Sequence, residues 1–342
     1  DEQLTPSLDL AHKHLSTPKV DDETHTKLVE ILLAERDDES KDPRILSHAL
    51  AHFHRYGERS RFRNRPTNAD LNATSIPQLN KTLSKLLNYE RSILYIGPRS
   101  ADEIAEALSK HFPLPDTLAP PPAYEAPRSH KAERNQIYFY EKEMAQAQVR
   151  LEFSVGERNE TKLPAAQLYN EYFAGGMAGL VFQELREARA LAYSAWGNYF
   201  AASRPDEENI LVGAIGCQAD KTIEAVIAFL ELLEDMPMNE KRWDSAQDAL
   251  ESAYRTNPAR FRQIPGAVYD WTQLGLKEDP RKARFPIIES ATIETLKEFY
   301  EREIKPRKKL ISIVGDSTKI DLQALEKIGP VTKVSTDDLF TY

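Results

Sequence analysis

Two imidazoles four residues apart are the first chemistry the sequence offers. In "SHALAHFH" (47–54), His48 and His52 share one face of a helix, with His54 close by. That is the spacing two zinc-binding imidazoles need. No glutamate stands between them to act as a general base, and no third acidic ligand follows. The patterns H-E-x-x-H and H-x-x-E-H are absent throughout. The pair is therefore read first as part of an amphipathic helix, and only secondarily as a metal site. Cys217, at the end of an apolar run with no histidine nearby in sequence, reads as a packed thiol rather than a nucleophile. A third constellation lies in "FQELREARALAYSAWGNYF" (182–200), just after Gly175-Gly176. Arg186 stands near the end of a charged helical run, and Tyr193 begins an aromatic strand seven residues later. Judged by residue type alone, these are a helix-surface ion pair and a packed aromatic.

Bulk properties narrow the classes. The formal net charge of the 342 residues is -9, which argues against a nucleic-acid surface, since phosphate binding needs a basic face. Basic or neutral peptides and other proteins remain as partners. A single cysteine excludes an internal disulfide framework and any cysteine-rich zinc site. No G-x-G-x-x-G, P-loop or G-x-S-x-G pattern occurs. No apolar run reaches the ~18 residues of a membrane span. Residue 1 is Asp, which reads as a processed or cut end. The compartment is not fixed, with the bacterial periplasm favoured because exported proteins often avoid unpaired thiols.

The elements that must position these residues come as an internal repeat. "RSILYIGPRSADEIAEALSKHF" (91–112) and "KKLISIVGDSTKIDLQALEKIG" (308–329) both read as a buried strand, a glycine turn and an amphipathic helix. Gly97 and Gly315 are 218 apart, as are Gly57 and Gly275. Between them, "TSIPQLNKTL" and "ATIETLKEFY" both carry helix-start chemistry. A period near 218 makes residues 1–112 the back portion of one unit, helical plus one strand, and 133–342 the whole of the next. The proline-rich stretch 113–132 is the linker. Within the complete unit, strands are expected at 135–142, 148–155, 192–202, 209–217 and 309–314, with helices between and after them. The fold class is α+β: a duplicated unit of a mainly antiparallel sheet with helices on one face, first copy partial. The strand at 92–96 should lack partners of its own, so self-association through the partial unit is expected.

The stretch "GGMAGLVFQELREARALAYSAW" (175–196) resembles the pitrilysin-like zinc metallopeptidases, relatives of insulin-degrading enzyme and mitochondrial processing peptidase. A glycine pair, an F-x-E-[IL]-R-E helix and a Leu-Ala-Tyr-Ser strand match the signature of the family's C-terminal half. Ala190 departs from it, standing where many members have glycine. The resemblance implies that residues 1–112 and 133–342 are the third (partial) and fourth units. It implies that Arg186 and Tyr193 reach the peptide substrate, the phenol polarising the scissile carbonyl. It places the zinc, in H-x-x-E-H, in an N-terminal half that is part of the same polypeptide or a partner subunit. No cofactor is then expected on this chain, and no peptidase activity from it alone. The other reading is a non-catalytic scaffold subunit of the same fold.

Overall fold

A computed structural model describes residues 2–112, 115 and 117–342. The first part is helical: α1 Leu4–Ser16, α2 Asp22–Glu39, α3 Pro43–Tyr56, α4 Asn68–Ala73, α5 Ile76–Lys85 and α6 Ala101–His111. The second part holds six strands, β1 Gln136–Glu141, β2 Gln146–Glu157, β3 Ser194–Phe200, β4 Glu208–Gln218, β5 Leu310–Gly315 and β6 Val331–Val334. Its helices are α7 Leu163–Ala174, α8 Thr222–Glu234, α9 Glu240–Thr256, α10 Ile264–Gln273, α11 Pro280–Glu289, α12 Ile293–Phe299, α13 Leu322–Glu326 and α14 Thr336–Leu339. This is the α+β class expected.

Several helix boundaries recur at the same spacing of 218 as the glycines. Helices α1 and α8 begin at Leu4 and Thr222 and end at Ser16 and Glu234. The residues closing them, Thr17 and Asp235, share one conformation (φ/ψ of -141/58° and -144/63°). Helices α2 and α9 are entered through Asp21 and Asn239, whose side chains accept from Thr24 N and Arg242 N. Gly57 and Gly275 both take positive φ, 55° and 74°, just past a helix end.

The sheet order is β3-β4-β2-β5-β1-β6. The pairs β3/β4, β4/β2 and β2/β5 are antiparallel, whereas β5/β1 and β1/β6 are parallel. Alternation along β2 and β5 sends Val149, Leu151, Phe153, Ile311 and Ile313 into the main core with Tyr169, Phe173 and Phe229 of the covering helices.

Three expectations are corrected. Helices do not cover one face only: α3, from the first unit, lies on the opposite face, where Leu46, Ala49 and Leu50 pack with Val314, Val334, Leu339 and Phe340. Burying Leu46 and Leu50, both 0% exposed, stabilises this arrangement by roughly 1.5–3 kcal/mol each. The first unit's expected strand is absent: residues 91–96 join no ladder, and Ile93 and Leu94 are about half exposed. The segment's equivalent, β5, is held between β2 and β1, and no such neighbours flank 91–96 among the described residues. Finally, the edge strand β6 was not anticipated. Part of the linker, Pro113, Leu114 and Asp116, lies outside the described residues. The rest is tied down, with Tyr124 Oη donating to Glu207 at 3.1 Å and Ser129 N to Glu208 at 2.7 Å.

Candidate functional site

The route from α7 to β3 is a sequence of constrained turns. Helix α7 stops at Gly175, where a Cβ would stand 2.2 Å from the Glu171 carbonyl oxygen. Gly176 follows at φ 58°. Residues Phe182–Ala188 then form a π-helix, a form that costs hydrogen-bond quality and recurs at functional sites. Leu185 is fully buried and anchors it. The chain leaves through Ala190 at φ 49°, the sole non-glycine residue with positive φ among the described residues. The glycine of the family signature is thus explained: the position is left-handed, and alanine occupies it under strain. Tyr193 N donates to Gly216 O at 2.8 Å, which docks the start of β3 onto β4.

This construction leaves both proposed substrate residues outside. The Tyr193 side chain is 79% exposed, so it is not the packed aromatic its residue type suggests. The Arg186 side chain is half exposed, with its guanidinium 4.9 Å from the Phe182 ring and its Nε 3.8 Å from Glu187. Neither is held by a buried partner, and no hydrogen bond joins the two among the described residues.

His48, His52 and His54 each take protein partners. His48 Nε2 lies 3.4 Å from the Arg150 guanidinium, and burial with that cation keeps its protonation below the ordinary range. His52 Nδ1 is 3.2 Å from Ser60 Oγ and accepts from Arg61 N, and burial brings its pKa down to about 4. His54 is buried, stacked on Tyr138 with centroids 3.8 Å apart, its Nδ1 3.2 Å from Ser312 Oγ. No group of three or more His, Cys, Asp or Glu among the described residues is placed to hold a metal ion. Cys217 is 1% exposed and its thiol is pushed up to about 11 by burial, so it is inert.

One constellation escaped the sequence reading. On the face of the sheet that α3 covers, Glu152 Oε1 accepts from Arg150 Nε (3.0 Å) and Nη2 (2.7 Å), and Oε2 accepts from Arg55 of α3 at 3.2 Å. All three side chains are more than nine-tenths buried. Trp196 of β3 faces the same way, 5.7 Å from the Arg150 guanidinium. The signal was present in "QVRLEFSV": an arginine and a glutamate two apart in an otherwise apolar strand share one face.

With this geometry in view, known proteins can be compared. The chain resembles the crystal structure of a peptidase M16 inactive domain from Pseudomonas fluorescens, with TM-score 0.70 and 17% identity over 92% of this chain and 76% of that one. A conserved protein from Enterococcus faecalis gives TM-score 0.74 and 16% identity, covering 94% and 76%. A ferredoxin protease in complex with Arabidopsis ferredoxin gives TM-score 0.71 and 13% identity, covering 92% of this chain and 34% of that one. At such identities the likeness is one of fold. No curated protein matches the sequence. The shared architecture is that of the C-terminal half of pitrilysin-like peptidases. Residues 79–250 match the family model described as the Peptidase M16 inactive domain, and the chain belongs to that family.

Proposed function

We propose that this chain is the substrate-binding C-terminal half of a pitrilysin-like zinc metalloendopeptidase, with residues 1–112 the back of the third unit and 133–342 the fourth. The observation that carries the reading is the exposure of Arg186 and Tyr193 at the two ends of one constrained turn, neither held by a buried partner. Amide hydrolysis builds negative charge on the scissile carbonyl oxygen. The Tyr193 phenol can donate to that oxygen, and the Arg186 guanidinium offers fixed donors to peptide carbonyls beside it. The zinc, which polarises the carbonyl, belongs to the N-terminal half bearing H-x-x-E-H, supplied by the same polypeptide or by a partner. The ferredoxin complex of a similar structure supports a peptide or protein as the occupant.

Reconstitution tests this. The chain alone should show no zinc-dependent peptidase activity. Joined to a zinc-bearing half it should cleave peptides, and the double change Arg186→Ala, Tyr193→Phe should remove most of that activity. Full activity in the double variant would instead favour the scaffold role.

A further inference from the structure

Between the start of α3 and the sheet face it covers, bordered by Ser194 and Trp196 of β3, lies a pocket of about 230 Å³, room for one side chain rather than a cofactor. Arg44, His48, Arg150, Ser194, Trp196 and Gly216 are among the residues that line it, and none of the lining residues is acidic. The charge beneath it does not cancel. Glu152 is one carboxylate shared by two guanidiniums, those of Arg150 and Arg55, and both arginines are more than nine-tenths buried. The Nε of Arg55 is buried with no hydrogen-bond partner, and the Tyr56 ring, 4.3 Å from its guanidinium, offers a π-face but no counter-ion. At the rim, Asp42 stands 3.5 Å from Arg44, but it also caps α3 through Arg44 N, and the Arg44 side chain is 82% exposed.

A buried excess cation is costly unless a counter-charge completes it. A structural tie between α3 and β2 needs one arginine and one glutamate, and the second arginine is surplus to it. We propose that this pocket binds a carboxylate of the peptide substrate, either an acidic side chain or the C-terminal carboxylate. Arg150 and Arg44 hold the charge, and the Trp196 ring covers the apolar stem. The proposal rests on the preceding reading of the chain as a peptide-binding half. The overall charge of -9 opposes it only at long range. That repulsion is screened beyond ~8–10 Å at ordinary ionic strength, whereas a partly buried contact is screened much less.

The test is anisotropy of three labelled hexapeptides with the 342-residue chain. One is neutral, with a central Gln and an amidated end. The second has Glu for that Gln, and the third keeps Gln with a free C-terminal carboxylate. At least one carboxylate peptide should bind about 10-fold or more tighter than the neutral one. Whichever does so identifies the source. Arg44→Gln should abolish or sharply reduce the preference while leaving the melting temperature nearly unchanged, since the Arg44 side chain is 82% exposed and its pair with Asp42 is a surface one. Arg150→Lys, which keeps the charge but loses the planar fork, should weaken it. Equal affinity for all three peptides overturns the proposal, as does a preference that survives both substitutions. If the neutral peptide binds and the carboxylates do not improve on it, the pocket proposal falls while peptide binding by the chain still stands. If none binds, both readings fall.

Discussion

Arg55, in the last turn of α3, donates to Glu152 of β2 across 3.2 Å, with both side chains more than nine-tenths buried. The contact joins a helix of residues 1–112 to the sheet of residues 133–342, beside the apolar cluster that α3 buries on the same face. Removing the glutamate would leave two guanidiniums buried without a carboxylate. Glu152→Ala should therefore cost about 3–5 kcal/mol, read as a fall in the denaturant midpoint. A loss below about 1 kcal/mol would mean that water reaches the site and that the network contributes little.

Ala190 offers the opposite sign. At φ 49° an L-residue bears roughly 1–2 kcal/mol of strain, while glycine there adds about 0.4–1 kcal/mol of unfolded-state entropy. Ala190→Gly should thus be stabilising by about 0.5–1 kcal/mol, and Ala190→Val destabilising by more. Calorimetry of the two variants checks this. A destabilised glycine variant would show that the left-handed turn is not strained.

These two cases mark what could be read from sequence. The recurrence of helix ends, caps and glycines at a spacing of 218 was legible because these are local chemistry, written in the residues beside them. That α3 crosses to the far face of the other unit's sheet was not, because helical periodicity says which side of α3 is apolar but not what it covers. Strand β6 escaped because "VTKV" is too short to show a period. The segment "SILYI" has the composition of a strand yet joins no ladder, since a strand is completed by neighbours and not by its own residues. At the site, residue type alone pointed Tyr193 to the core. Only the match of the whole turn to a family signature placed it outside, where its 79% exposure leaves it.

The buried histidines predict a pH dependence. Burial, aided by His130, lowers the pKa of His54 from its ordinary 6.5 to about 3, and His52 falls to about 4. The unfolded chain takes up protons near pH 6.5 while the folded chain refuses them. Stability is therefore full above pH 6.5 and is lost as pH falls towards 3. Carboxylates titrate in the same range, so the informative quantity is a difference. Between pH 7.5 and 4.5, His54→Gln should lose less stability than the wild type in urea titrations. Parallel curves would show that His54 is protonated as readily folded as unfolded.

The last prediction separates the roles of the exposed pair. In the reconstituted peptidase, Tyr193→Phe keeps the ring and removes one donor. If that donor meets the carbonyl oxygen as charge develops there, the interaction is made mainly in the transition state, so kcat should fall by ~10²–10³ with KM little changed. Arg186 holds peptide carbonyls before and during the reaction, so Arg186→Ala should raise KM and lower kcat together. Because its guanidinium lies over the Phe182 ring and beside an exposed glutamate, with no buried partner among the described residues, Arg186→Ala should leave the unfolding midpoint within about 0.5 kcal/mol of wild type. Steady-state kinetics beside a denaturation curve makes the distinction. A Tyr193→Phe enzyme with unchanged kcat, or an Arg186→Ala chain that unfolds easily, would return the pair to a structural role.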